Sequence, residues 1–343
     1  MIKPLIWEND ILKLIDQRKL PLSEEYVDIT NLEECFDSIK DMIVRGAPLI
    51  GFTALWGMVL DIKNNPNYGI DEITKSADYL KTARPTAVNL AYEVDRAVDL
   101  AKDSLDTYEQ RLRIFAQDQM DLLYENNLTM AKIAQKDLES RFGDKKLRLM
   151  TLCNTGALAC GPMGTALGVI SHLASQGKVE MVYASETRPY LQGGRLTAYE
   201  LCKENIPHKI TVEGAFSYIL ENKLVDAIFI GADRIVRNGD TANKIGSSTL
   251  AIVAKYYGVP FYVVAPTSSF DLDSRTGDEI EIELRPEEEI LSALDSRIAP
   301  KESKALNPSF DVTRARNIAG IICEKGLIQD PISTESLLKV VES

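Results

Sequence analysis

Leu147-Arg-Leu-Met-Thr-Leu-Cys153-Asn-Thr-Gly156 is the stretch on which the fold turns. A short, β-prone run closes on a thiol and polar turn residues. A glycine-rich passage, Gly156 to Gly168, then leads into a helical pattern. The alternation repeats downstream. Strands are expected at 147–152, 179–184, 209–212, 227–230 and 261–265, with helices between them over 164–175, 196–204, 215–222 and 243–257. Strand–helix alternation of this kind predicts an α/β fold, a Rossmann-like, doubly wound, mostly parallel sheet covered on both faces.

Upstream the periodicity differs. Residues 4–7 and 11–15 flank a Glu-Asn-Asp turn and predict a small β-hairpin. From Asn31 apolar residues fall three or four apart (Leu32, Cys35, Phe36, Ile39, Met42, Ile43), as on one helix face. A second helix is expected near Pro48, a third from Pro85, and a long charged one over 108–142. The domain division expected is 1–145, mainly helical with a small β element, and 146–343, the Rossmann-like catalytic part.

Composition narrows the function. The net charge of −12 opposes nucleic acid and anionic membranes, and no Lys/Arg-rich block interrupts it. An anionic substrate would therefore need a local cluster of cations. Five scattered cysteines with no CxxC pair argue against a disulfide framework or zinc site. Two histidines leave little for a His-based metal centre or a Ser-His-Asp triad. The N-terminus lacks signal-peptide character, and residues 47–60 are too short to span a bilayer. A cytoplasmic protein is expected.

Ligands of open parallel sheets bind beyond the carboxyl ends of the strands. Those ends here carry Cys153, Glu186, Arg188, Gln192, Arg195, Asp233, Asn243 and Lys244. A dinucleotide site is disfavoured because neither GxGxxG nor GxxxxGK[ST] occurs; the glycine-rich passage reads as a tight turn whose following helix N-terminus is free for an anion. Buried packing explains most free cysteines, and four of the five are assigned to it. Cys153, at a strand end among polar residues, suits a proton carrier or charge stabiliser. Asp233 fits either a cap or ion-pair role or, closing the apolar run Ala227–Ala232, a desolvated acid. Pattern alone leaves both readings open for each.

Six ordered motifs add a resemblance: Arg45-Gly-Ala-Pro48, Ala83-Arg-Pro-Thr-Ala-Val-Asn89, Cys153-Asn-Thr-Gly-Ala-Leu-Ala159, Glu186-Thr-Arg-Pro-Tyr-Leu-Gln-Gly193, Gly231-Ala-Asp-Arg-Ile235 and Asn238-Gly-Asp-Thr-Ala-Asn-Lys-Ile-Gly246. With Asn307-Pro-Ser-Phe-Asp-Val-Thr313, they resemble the methylthioribose-1-phosphate isomerase family, which shares its fold with regulatory subunits of translation initiation factor 2B and with ribose-1,5-bisphosphate isomerase. The resemblance implies an aldose–ketose isomerase of methionine salvage acting on a sugar 1-phosphate as a homodimer, without metal or cofactor. It implies Cys153 and Asp233 as catalytic residues, and Arg45, Gly46, Ala47, Arg84, Gln192, Asn243 and Lys244 as substrate-binding ones. Three departures stand out. Leu152 replaces the family's usual histidine, Gly194 a different residue, and the glycine-rich segment Cys160-Gly-Pro-Met163 differs from the family's. A 5-deoxyribose-1-phosphate isomerase and a non-catalytic nucleotide-sensing subunit are the competing expectations.

Overall fold

The computed structural model describes residues 2–85, 88–293 and 296–342. Thr86 and Ala87, part of the motif beginning at Ala83, lie outside the described residues. The chain divides into two compact units, Met1–Glu125 with Gly156–Gly164, and Asn126–Thr155 with Thr165–Ser343. That division differs from the boundary expected near 145: it falls inside a helix, and a short loop segment from the second half joins the first unit.

The first unit opens with a three-stranded antiparallel sheet, β1 (Leu5–Glu8), β2 (Ile11–Ile15) and β3 (Tyr26–Ile29), one strand more than the hairpin expected. Helices α1 (Leu32–Lys40), α2 (Ala47–Asn64), α3 (Ile70–Lys81), α4 (Val88–Asp103) and α5 (Tyr108–Phe142) follow. Asn31 starts α1, its side-chain oxygen accepting the Glu34 N–H at 2.9 Å. α2 has no polar stripe, because residues 49–62 are all buried; it is the central helix, packed by α1, α3 and α4. Gly57 lets α1 approach, since a Cβ there would lie 2.4 Å from Cys35 Sγ. Burial pushes the Cys35 thiol up to about 12, as suits a packing residue. Trp56 of α2 stacks on Trp7 of β1 at 4.5 Å, fastening sheet to helices.

Next along the chain come β4 (Leu147–Thr151) of the second unit, α6 (Ala157–Cys160), which belongs to the first, and then, in the second, α7 (Ala166–Ser175), β5 (Val179–Ser185), α8 (Ala198–Lys203), β6 (His208–Thr211), α9 (Phe216–Glu221) and β7 (Ala227–Ile230). β8 (Arg234–Val236), β9 (Thr241–Lys244), α10 (Ser247–Tyr257), β10 (Phe261–Val264) and β11 (Phe270–Asp271) continue the chain. A short excursion, α11 (Glu288–Leu291), β12 (Ser292–Ala293) and β13 (Ser296–Arg297), precedes β14 (Phe310–Thr313), β15 (Gly320–Cys323), β16 (Gly326–Gln329) and α12 (Thr334–Val341).

Among the described residues seven strands form the main sheet, in the order β16-β15-β10-β7-β4-β5-β6. All neighbours are parallel except β15 and β16. β7, β10 and β15 are buried throughout, as strands covered on both faces must be. Strand order reverses beside β4, since β5 and β6 run out on one side and β7, β10 and β15 on the other. The gap between β4 and β7 is therefore the switch point where such sheets bind ligands.

A second sheet, β11-β8-β9-β14, was not anticipated from the sequence. It corrects one expectation directly. Asn243 and Lys244 do not open a helix; they end β9, and α10 begins at Ser247.

Candidate active site

β4 pairs with β7 so that Met150 faces Ile228. Carried three residues on, that register sets Cys153 level with Gly231, the two strands about 4.8 Å apart. Cys153 lies just past β4 and Asp233 just past β7, so the switch point separates them by one strand spacing plus two residues. The contact is close: a Cβ on Gly231 would lie 2.8 Å from Thr155 Cγ2.

Cys153 is held by its backbone. Its N–H donates to Thr187 Oγ1 at 2.8 Å, and its carbonyl accepts from Thr197 Oγ1 at 2.6 Å. Its φ is +65°, left-handed, as is that of Thr187 at +64°. Thr197 is carried by a π-turn over Gly193–Thr197, which leans on β5 so closely that a Cβ on Gly193 would sit 1.6 Å from the Ser185 carbonyl oxygen. Only glycine fits there. Buried Asn154 donates to Glu200 Oε1 at 2.7 Å and to Thr197 Oγ1 at 3.2 Å, closing the loop around the cysteine.

The other cysteines divide. Cys35 and Cys323 are buried packing residues, as expected. Cys202 is exposed, its Sγ 3.7 Å from His208 Nε2, so it does not pack in a core.

Asp233 is positioned by the second sheet. Its N–H donates to the Ala242 carbonyl at 3.0 Å, and the β8–β9 register, Arg234 facing Ala242, sets Asp233 opposite Asn243 one step further. The side chain of Asp233 is exposed. That corrects the expectation of a desolvated carboxyl: the apolar strand is buried, but the chain leaves the sheet core before reaching the aspartate.

Across β9 and β14, Asn243 faces Asp311 and Lys244 faces Phe310. Asn243 is buried and donates to Ser247 Oγ at 2.9 Å. Lys244 Nζ donates to the Ser309 carbonyl at 2.9 Å and stands 4.6 Å over the Phe310 ring. An ammonium has three donors, which leaves capacity for an anion. Gln192 is buried, and its Oε1 has no hydrogen-bond partner. Such an atom is costly to leave unmade and suits a hydroxyl brought by a ligand. Beside Lys244, Ile245 lines a cavity of about 380 Å³ with Pro189, Ile290, Leu306 and Pro308. A larger one, about 730 Å³, opens at the far turn of the β8–β9 hairpin, where Arg314 is already held by Asp240 and Asp278; it contains none of the predicted site residues.

Two helix N-termini of the sheet are closed by the protein itself. Thr155 Oγ1 accepts from Leu167 N at 3.1 Å in the first turn of α7. Asp311 accepts from Gly246 N at 2.8 Å and Ser248 N at 2.9 Å at the start of α10. The anion site expected at α7 is thus partly filled, whereas the tight turn expected there is present. Glu186, where a ribose-binding acid would sit, has its carboxyl pushed up by burial and by the neighbouring Glu213, with Arg188 opposing.

In the first unit, Arg45, Gly46 and Ala47 form the entry to α2. Gly46 has φ +94°, and a Cβ there would lie 2.2 Å from the carbonyl oxygen of Ala159, so the turn is pressed against α6. Arg84 lies between α3 and α4, half-buried. Leu152, in the place of the usual histidine, is fully buried in the core of the second unit with Phe216 and Leu250. Sequence reasoning missed Thr197, Glu200 and Glu213, which carry no motif and reach the site only through tertiary contacts.

The chain is similar to known proteins along most of its length. Residues 43–330 match the model of the Initiation factor 2 subunit family. A curated protein named methylthioribose-1-phosphate isomerase, from Aquifex aeolicus, is 45% identical over 98% of this chain and 71% of its own. The crystal structure of 5-methylthioribose 1-phosphate isomerase from Pyrococcus horikoshii OT3 superposes with a TM-score of 0.94 at 35% identity, covering 100% of this chain and 96% of that one. A structure described as translation initiation factor eIF-2B, subunit delta, from A. fulgidus superposes with a TM-score of 0.90 at 36% identity, covering all of both chains.

Proposed function

We infer that this chain, which belongs to the Initiation factor 2 subunit family, is an aldose–ketose isomerase that converts 5-methylthioribose 1-phosphate into 5-methylthioribulose 1-phosphate, a step of methionine salvage. The observation that carries the reading is the pairing of a thiol with a carboxyl at the ends of adjacent parallel strands, in a chain 45% identical to a protein bearing that name.

The chemistry sets the requirements. A phosphate on the anomeric carbon blocks spontaneous ring opening, so the enzyme must open the furanose with the phosphate in place. We assign Asp233 as the acid that protonates the ring oxygen while the C1–O bond breaks. Hydrogen then passes from C2 to C1, and the proton on the C2 hydroxyl returns to Asp233 as the ketone forms. Cys153 stabilises the charge that develops at C2. Because Asp233 is exposed, substrate must displace water from it as it binds. Arg45, Arg84 and Lys244 are assigned to the phosphate, where cations can override the acidic surface, and Gly46 and Ala47 to the substrate. Gln192 and Asn243 are assigned to sugar hydroxyls; the unpartnered Gln192 Oε1 supports this. The cavity beside Ile245, mostly apolar but also lined by Arg188 and Asn307, supports an apolar substituent at C5.

On the same reading the chain works in the cytoplasm as a homodimer, without metal or organic cofactor; among the described residues no helix is long and apolar enough to cross a membrane. Likeness to the A. fulgidus chain favours a second reading, an assembly subunit without turnover. Ketose formation from 5-methylthioribose 1-phosphate and from 5-deoxyribose 1-phosphate, with Asp233→Asn as control, separates the readings. Turnover of the first sugar ahead of the second is expected, with the variant about 100-fold or more slower. No turnover of either would overturn the isomerase. Sedimentation velocity tests the dimer.

A further inference from the structure

We propose that Thr187, held by Glu213, is the positioning residue that aims the Cys153 thiol. The inference rests on Cys153 belonging to the site.

Left-handed backbone is costly for an L-residue and is a genuine outlier for a β-branched one. Here two such residues touch, Cys153 at φ +65° and Thr187 at φ +64°, from neighbouring strand ends. Strain of this kind persists only where the surroundings over-determine it. The surroundings are on hand. Thr187 is fully buried, and its hydroxyl is used twice, donating to the Ser185 carbonyl at 3.0 Å and accepting the Cys153 N–H at 2.8 Å. Its own N–H donates to Glu213 Oε1 at 2.6 Å. Glu213, from the turn after β6, also accepts from the Ser185 hydroxyl and, at 3.5 Å, from the Arg188 N–H. One carboxylate thus fixes Ser185, Thr187 and Arg188 at the end of β5, and Thr187 in turn fixes the cysteine.

The consequence is directional. The φ of Cys153 decides where its Cβ, and hence its sulfur, points. Thr197 holds the carbonyl on the other side. The Thr187 hydroxyl restrains the N–H. Glu213 acts one step back, by keeping Thr187 in the conformation that turns its Oγ1 toward Cys153.

The test compares Thr187→Val, which keeps shape and loses the hydroxyl, with Thr187→Ser, which keeps the hydroxyl, and with Glu213→Gln. Two readouts are needed. One is kcat and KM for the isomerisation. The other, which needs no substrate, is the pH profile of Cys153 alkylation by iodoacetamide, resolved by peptide mass spectrometry from exposed Cys202.

Expected for Thr187→Val is kcat lower by about 100-fold, the loss typical of an ångström of misplacement, with KM within about threefold and a displaced alkylation profile. Thr187→Ser should restore both to within a few fold, and Glu213→Gln should fall between. A Thr187→Val protein with wild-type kcat and alkylation profile would overturn the proposal. So would equal losses in Thr187→Ser and Thr187→Val that track thermal stability alone. If the wild-type protein turns over no sugar, the isomerase reading fails, while the alkylation profiles still decide the positioning role.

Discussion

Gly231 and Thr155 meet across the switch point, where a methyl group added to the glycine would lie 2.8 Å from Thr155 Cγ2. The contact sets the spacing between the loop that carries Cys153 and the one that carries Asp233. Thr155 cannot easily turn aside, because its hydroxyl holds the Leu167 N–H. Gly231→Ala should therefore push the loops apart and lower kcat by about 100-fold. Adding Thr155→Ser, which removes the clashing methyl and keeps the hydroxyl, should recover most of the loss. A double variant no faster than Gly231→Ala would show that the spacing is not what matters.

Gln192→Leu separates binding from stability. The leucine fills similar space and removes a buried oxygen that has no partner. The free protein should be as stable as wild type or up to about 1 kcal/mol more so, while KM rises several-fold because a contact to the sugar is lost. Thermal melts with and without product read both effects; a lower melting temperature of the free variant would contradict the assignment.

Asp226 ties two strands of the main sheet, accepting from the Arg148 N–H at 2.8 Å and pairing with Arg148 and Lys145. Burial alone would push its carboxyl up, but the bonds from Arg148 and Lys145 win and hold it below the usual range. A folded-state value below the unfolded one means stabilisation that is present above about pH 4 and lost as pH falls through the folded value. Asp226→Asn should cost about 1–2 kcal/mol at pH 7, discounted because both cations are partly exposed, and less at about pH 3. Urea midpoints at the two pH values check the sign; a gap that widens in acid would refute it.

How much of this could be read in advance depended on the range of the interactions. α5 shows in its own residues over the same span, 108–142, and β4 and β7 show as apolar runs bounded by turn residues. Those signals are local. α3 was missed because Gly69, Asp71 and Glu72 look like a continuing turn until Ile73, Ala77 and Leu80 are seen buried together. β8, β9 and β14 were missed because they are three or four residues long and their sheet is completed only when β14 pairs with β9 from far along the chain, Asn243 with Asp311. Cys153 and Asp233 were visible as polar groups closing apolar strands. Thr187 and Glu213 were not, since what marks them is a left-handed backbone and a bond between residues 26 apart.

Gly46→Ala probes the first unit. The position combines φ +94° with a Cβ that would fall 2.2 Å from the Ala159 carbonyl oxygen, a backbone atom with no freedom to yield. Destabilisation of about 2 kcal/mol or more is expected, read as a lower melting temperature. A melting curve unchanged from wild type would mean that the α2 entry turn and α6 are not in contact.

Thr155 at α7 and Asp311 at α10 have a consequence for how this architecture evolves. In many sheets of this type the peptide dipoles greet the anion, so ligand recognition is inseparable from the framework. Here those poles are partly satisfied from within, and on the proposed function affinity for a sugar phosphate rests largely on a few replaceable cations. Exchanging them would abolish turnover yet leave the β-layer intact, a short route from catalyst to building block.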